Sequence, residues 1–141
     1  VSFADYVVVE DVGTVLNQDL VEGQMHGGIA QGIGQALGEI LRHDSTGQLI
    51  TGSFMDYQMP IAADLPNFRV STIAVPTKIN PLGAKGVGEA GTVGSLAATM
   101  NAVVDAMASV GVTNFEMPAT PHRVWQALNA VKSCNKMPIG K

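Results

Sequence analysis

Charge is what this sequence is shortest of. Eight Lys and Arg and twelve Asp and Glu make 14% of 141 residues, where ordinary domains carry about a quarter. The cations are scattered and the net charge is −4, so there is no basic footprint for nucleic acid. A surface so poor in charge implies that much of it meets other protein. Cysteine is nearly absent: Cys134 stands alone, which excludes an internal disulfide and any multi-cysteine metal site. No His–Asp pair is placed to make that thiol a nucleophile, and a reduced, cytoplasmic setting is expected. No apolar run approaches a membrane span, and no basic-then-apolar leader precedes the first strand-like residues. The chain opens on Val1 and runs directly into FADYVVVE. A piece of a longer polypeptide, or a processed chain, is therefore expected.

Glycine is abundant instead, with sixteen residues, and the length suits one domain, residues 1–141. Tyr6–Val9 is a β-branched run of the kind buried on both faces of a sheet, and DVGTVLNQDL reads as the loop after it. Ile29, Ile33, Leu37 and Leu41 recur every four residues and predict a helix from about Gln24 to Arg42, with Arg42 and His43 at its negative end. Gly28, Gly32, Gly34 and Gly38 fall inside it at about 1 kcal/mol each against Ala, which points to close approach of a neighbouring backbone or a ligand. DSTG makes a turn, QLITGSF a strand, MDYQMPIAADLP a loop and NFRVSTIAV another strand. PTKINPLGAKGVGEAG is a long Pro/Gly loop of the sort that carries function.

A second helix is predicted over Thr92–Val110 with Val93, Leu96, Ala97, Met100, Val103, Val104 and Met107 on its apolar face. Thr120-Pro121 is a cap followed by Pro at the first helical position, opening a last helix with Val124, Trp125, Leu128 and Val131. The tail from Ser133 is expected to fray. The methionines share no stripe and are expected as core gap-fillers. Strands and helices mix without strict alternation, so the fold class is α+β.

Two glycine-rich stretches are candidate sites. GVGEAG fits G-x-G-x-x-G at Gly86, Gly88 and Gly91, but prolines separate it from the preceding strand and no acid lies about 20 residues on. Asp105 comes too early. A phosphate loop of the G-x-x-x-x-G-K-S/T type fails because Gly86 follows Lys85. A glycine loop entering a helix still offers unhindered N–H groups and a positive dipole end, suited to an anion or a polar cofactor edge. Glu89 stands at that mouth, either as a plain first-turn acid or as a general base held close to a ligand, its basicity raised by desolvation. In GQMHGGIAQGIG, Gln24 can donate and accept at once, which fits either cofactor recognition or a helix packed through its glycines. His26 has no second ligand at metal spacing. His43 and His122 are expected at the surface.

KGVGE (Lys85–Glu89) before GSLAATMNAVVDA, GQxxGGxxQGIGxAL at Gly23–Leu37, DVGTVLN, DYQMP and MPATPHRVWQAL occur together in one order. In these motifs the chain resembles the molybdenum hydroxylases: the large subunits of xanthine dehydrogenase, aldehyde oxidase and aerobic carbon monoxide dehydrogenase. The resemblance covers nearly the whole chain and corresponds to the C-terminal portion of the molybdopterin-binding domain. It implies that Glu89 is the active-site base and that Gln24, Gly27, Gly28, Lys85, Gly86, Val87 and Gly88 line the cofactor. That cofactor would be molybdopterin, in its cytosine dinucleotide form, with molybdenum held by the pterin rather than by side chains. It further implies the rest of the large subunit, an iron–sulfur small subunit and an FAD medium subunit as partners. An aldehyde, an N-heterocycle or carbon monoxide would be the substrate. The copper-bearing cysteine of the carbon monoxide enzymes is not matched by Cys134. A non-catalytic assembly module and a dinucleotide-binding domain are the rival expectations.

Overall fold

In the computed structural model, which describes residues 1–134, the elements run in the order strand β1 (Tyr6–Glu10), helix α1 (Gln18–Leu37), a single 3-10 turn (Ala62–Asp64), strand β2 (Phe68–Thr72), helix α2 (Ala90–Ala108) and helix α3 (Pro121–Cys134). This is the α+β class expected. The chain divides into two compact units. One is Val1–Ile33 with Pro60–Leu96; the other is Gly34–Met59 with the described residues from Ala97 on. Among the described residues no helix is long and apolar enough to cross a membrane.

In the first unit β1 and β2 pair in parallel, Tyr6 with Phe68 through Glu10 with Thr72. Their burial alternates, and Val7 and Val9 are 58% and 53% exposed. The expectation of a strand covered on both faces is thus corrected: only one face is covered, with Val8 and Val70 turned to a cluster around Val12, Val21 and Met25.

Helix α1 starts six residues before the expected Gln24, because Asn17 caps it. The Asn17 Oδ1 accepts the Leu20 N–H at 3.0 Å and the Asn17 carbonyl accepts that of Val21 at 3.2 Å, as an Asx cap does. Gln18, Asp19 and Leu20 therefore belong to the helix and not to the loop. Val21, Met25, Ile29 and Ile33 form its buried line. The glycines of this helix make the close approach that their cost implied. A methyl group at Gly28 would lie 2.9 Å from the Thr92 amide nitrogen, one at Gly32 would meet Ser95 and the Leu96 nitrogen, and one at Gly91 would lie 2.5 Å from the Met25 carbonyl oxygen. Thr92 Oγ1 also donates to the Gly28 carbonyl at 3.0 Å. The two backbones touch, and any side chain there would force them apart.

In the second unit α1 ends at Leu37, short of Arg42 and His43. Leu41 is 65% exposed, and the Gly38 and Glu39 amides both close back on the Gly34 carbonyl at 2.9 Å. QLITGSF is not a strand. Asp44 Oδ1 gathers Thr46 N, Thr46 Oγ1 and Gln48 N within 2.7–3.0 Å, an Asx-type turn. A single antiparallel bridge, His43 with Leu49, follows.

The buried line of α2 passes through Gly91, Ser95, Thr99, Val103 and Met107. Val93, expected on it, is 76% exposed and Ala97 is exposed. In this unit Val103, Met107, Val112 and Ala119 form the core, with Val124, Ala127 and Val131 of α3 against it. Thr120 Oγ1 accepts the Arg123 N–H at 3.3 Å, the expected cap. Helix α3 runs through Ser133 to Cys134; residues 135–141 of the expected frayed tail lie outside the described residues. Met25 and Met107 are core residues, but Met55, Met59 and Met117 are exposed, Met55 at 96%, so methionine is not mainly a core filler here. Phe54, Met55 and Ile79 are exposed.

Candidate functional site

The GAKGVGE segment belongs to the first unit. It is fastened firmly over its first half and sparsely over its second. The Gly83 carbonyl accepts the amides of Thr14 and Thr77, each at 3.0 Å. Gly13 and Ala84 form an antiparallel bridge, and the Lys85 amide donates to the Val12 carbonyl at 3.0 Å. The Asn80 side chain brackets Ala84, donating to its carbonyl at 2.9 Å and accepting its amide at 3.3 Å. Gly13 and Gly83 both have positive φ, 66° and 69°, a conformation in which a side chain is strained.

Asp11 ties the same region electrostatically. Its Oδ1 accepts the amides of Gly13 (2.9 Å) and Val75 (3.1 Å), and its Oδ2 accepts from Lys85 Nζ at 2.6 Å. The Lys85 ammonium, then the two amides, hold the Asp11 carboxyl at about 2, below its ordinary 3.8. A depressed carboxylate contributes stability above its unfolded value, and the contribution is lost as pH falls through the folded one. The Asp11 contribution is thus intact above pH 4 and disappears toward about pH 2. Carboxyl NMR should show a midpoint near 2 that rises in Lys85→Met but stays below 3.8, because the Gly13 and Val75 amides remain; a midpoint unchanged in Lys85→Met would refute the pairing.

Beyond Lys85 the loop carries little side chain. Val87 drops into the cluster of Val12, Val21 and Met25, and its carbonyl accepts the Ala90 amide at 3.1 Å. The Glu89 carbonyl opens α2, accepting from Thr92 (3.0 Å) and Val93 (3.1 Å). Its carboxylate is exposed and makes no hydrogen bond among the described residues. It stands at the positive end of a 19-residue helix. The desolvation expected of a catalytic Glu89 is not provided by this chain's own residues.

Gly86 and Gly88 are the informative positions. A methyl group at Gly86 would meet nothing within 4 Å, and one at Gly88 only Gln24 Oε1 at 3.7 Å. Neither has positive φ. Among the described residues no packing contact and no positive φ requires glycine there, whereas Gly28 and Gly91 are accounted for by helix contact. The structure therefore brings Gln24 beside Gly88, and Gln24, Lys85 and Val87 together line a groove of about 350 Å³. Gly27, exposed on α1, also faces open space. Gly28 turns instead to α2, and the Lys85 ammonium to Asp11. His26 meets the Phe68 ring edge-on and joins no metal set; among the described residues no three His, Cys, Asp or Glu could hold a metal. The dinucleotide fingerprint loses its strand as well, since β2 ends at Thr72, well before Gly86. Asp11, missed in the sequence, pairs with a residue 74 positions away, a separation that no local pattern encodes.

Residues 1–66 match the family model described as the molybdopterin cofactor-binding domain. The chain is similar to the carbon monoxide dehydrogenase large chain of Hydrogenophaga pseudoflava, 41% identical over 87% of this chain and 15% of that one. It is similar also to the nicotine 6-hydroxylase large subunit of Paenarthrobacter nicotinovorans, 43% identical over the same shares. The crystal structure of a Cu,Mo carbon monoxide dehydrogenase superposes with a TM-score of 0.87 at 33% identity, over 93% of this chain and 16% of that one. The chain thus spans about 15% of the length of these curated relatives.

Proposed function

Because this chain belongs to the family of molybdopterin-binding large subunits of the molybdenum hydroxylases, we propose that residues 1–141 act within such a subunit of an oxidoreductase complex, supplying Glu89 as the catalytic base and one stretch of the cofactor wall. The observation that carries this reading is the clear space over Gly86 and Gly88 beside Gln24, immediately before Glu89. When bound, the molybdenum cofactor supplies the redox centre at which a carbon is oxidised with oxygen drawn from water.

The chain's own residues bind, orient and move a proton. Gln24 offers its amide as both donor and acceptor to a pterin edge. Gly86 and Gly88 let such an edge approach the backbone without a side chain between, and exposed Gly27 extends the surface along α1. Gly28 and Lys85 serve the wall by fixing its two sides, against α2 and against Asp11. Glu89 takes the proton of the water-derived oxygen at its carboxylate, the ordinary task of a general base. It acts only once the rest of the subunit and the cofactor enclose it, so the 141 residues alone are inactive. The cytosine dinucleotide form of the pterin, an iron–sulfur small subunit and an FAD medium subunit to receive the electrons, and a cytoplasmic location complete the proposal. The substrate is an aldehyde, an N-heterocycle or carbon monoxide, a range supported by relatives named for carbon monoxide and for nicotine.

The test is metal content. Gly88→Val in the full complex should fill the cleared space and lose most of the bound molybdenum. Gly94→Ala, an exposed helical position where a methyl meets nothing within 4 Å, should keep it. Full molybdenum in Gly88→Val would remove the cofactor wall from Gly86–Gly88 and favour a non-catalytic assembly module.

A further inference from the structure

Asp11 has so far served only as the partner that holds Lys85 at one side of the cofactor wall. It joins three separated segments. Through Oδ1 it holds the turn at Gly13 and the strand exit at Val75; through Oδ2 it holds Lys85, four residues before Glu89. After Lys85 come Gly86 and Gly88, where the space that a side chain would occupy is nearly empty among the described residues. Among the described residues the path to Glu89 is constrained by half-buried Val87, packed against the cluster of Val12, Val21 and Met25, and by the first turn of α2. The lateral setting of the loop therefore depends on where Lys85 is held, by its amide on the Val12 carbonyl and by its ammonium on Asp11.

We propose that Asp11, acting through Lys85, is the positioning residue of the Glu89 loop, setting the carboxylate's place against the bound substrate. This rests on Glu89 being the base. A displacement of about 1 Å at a reacting group can cost about a hundredfold in rate, so a fastener without any contact to substrate can still control turnover.

The two oxygens of Asp11 have different work, and Asp11→Asn separates it. An amide keeps a carbonyl oxygen for Gly13 and Val75 but presents N–H to the Lys85 ammonium, so the turn persists and the pair is lost. In the full complex Asp11→Asn should lower kcat by about tenfold to a hundredfold, with KM and molybdenum content near wild type. Lys85→Met should lower kcat by a similar factor, the double variant should be no worse in kcat than either single one, and Lys85→Arg should restore most of the rate. In the cofactor-free complex, hydrogen exchange at the Lys85 amide, bonded to Val12, should quicken in Asp11→Asn. Unchanged exchange, or wild-type kcat in Asp11→Asn beside a crippled Glu89→Gln, overturns the positioning role alone. Molybdenum lost in step with kcat also overturns it, making the pair a fastener of the fold. A Glu89→Gln enzyme that turns over normally removes the base and the positioning role with it.

Discussion

Exchange of Glu89 for Gln in the full complex is expected to lower turnover by about 10²–10⁴-fold, with molybdenum content unchanged. The expected separation of rate from loading follows from how Glu89 is held. Its backbone carbonyl, not its side chain, opens α2. Its carboxylate makes no hydrogen bond among the described residues, so an isosteric amide disturbs nothing in the loop. What the amide cannot do is accept a proton. Metal analysis with steady-state kinetics on the same preparation checks both halves. A variant keeping more than about a tenth of the wild-type rate would leave Glu89 as a plain first-turn acid, since general bases contribute more than that.

Gly13→Ala is expected to be the most disruptive single methyl in the first unit. Its φ of 66° costs an L-residue about 1–2 kcal/mol. The added carbon would lie 2.3 Å from the Gly83 carbonyl oxygen, a backbone atom that cannot rotate away. Overpacking of that kind adds about 1–3 kcal/mol. The strain falls where Thr14, Gly83 and Lys85 are joined, so the loop carrying Glu89 must move as the fold weakens. Thermal denaturation should show the loss, and turnover should fall with it. Gly47→Ala is the control: its φ of 86° is equally unfavourable but its surroundings are open, so only the conformational part should appear. Equal melting of the two variants would mean that the Gly13–Gly83 contact is not tight.

Much of this was legible in the chain and some was not, for identifiable reasons. The β-branched run at Val7–Val9, the Thr120-Pro121 cap and the four-residue spacing from Ile29 reported β1, α3 and the middle of α1 directly. The start of α1 was hidden because Asn17 marks it before the apolar spacing begins. The expected strand at 48–54 failed because the side chain of Asp44 organises the backbone more strongly than local β propensity does. The buried face of α2 is legible at Val103 and Met107 but not in its first half, because there it is polar. Ser95 and Thr99 lie on it, at 0% and 1% exposure; at Ser95 small size matters more than hydrophobicity, because the line of α1 through Gly28 and Gly32 leaves no room. Gln24, Val87 and Glu89 were marked by their glycine surroundings, but the link from Asp11 to Lys85 depends on tertiary approach alone.

The parallel pair β1–β2 has a practical consequence. A two-stranded sheet is marginal by itself, and among the described residues no third strand covers either outer edge. Each edge keeps a row of unpaired amides and carbonyls, and on β1 the residues beside them include exposed Val7 and Val9. Such an edge is a template for pairing with another chain. Two open edges beside exposed valines are therefore the place where copies of this polypeptide would pair and aggregate, and Val7→Lys or Val9→Lys is the substitution that would blunt it.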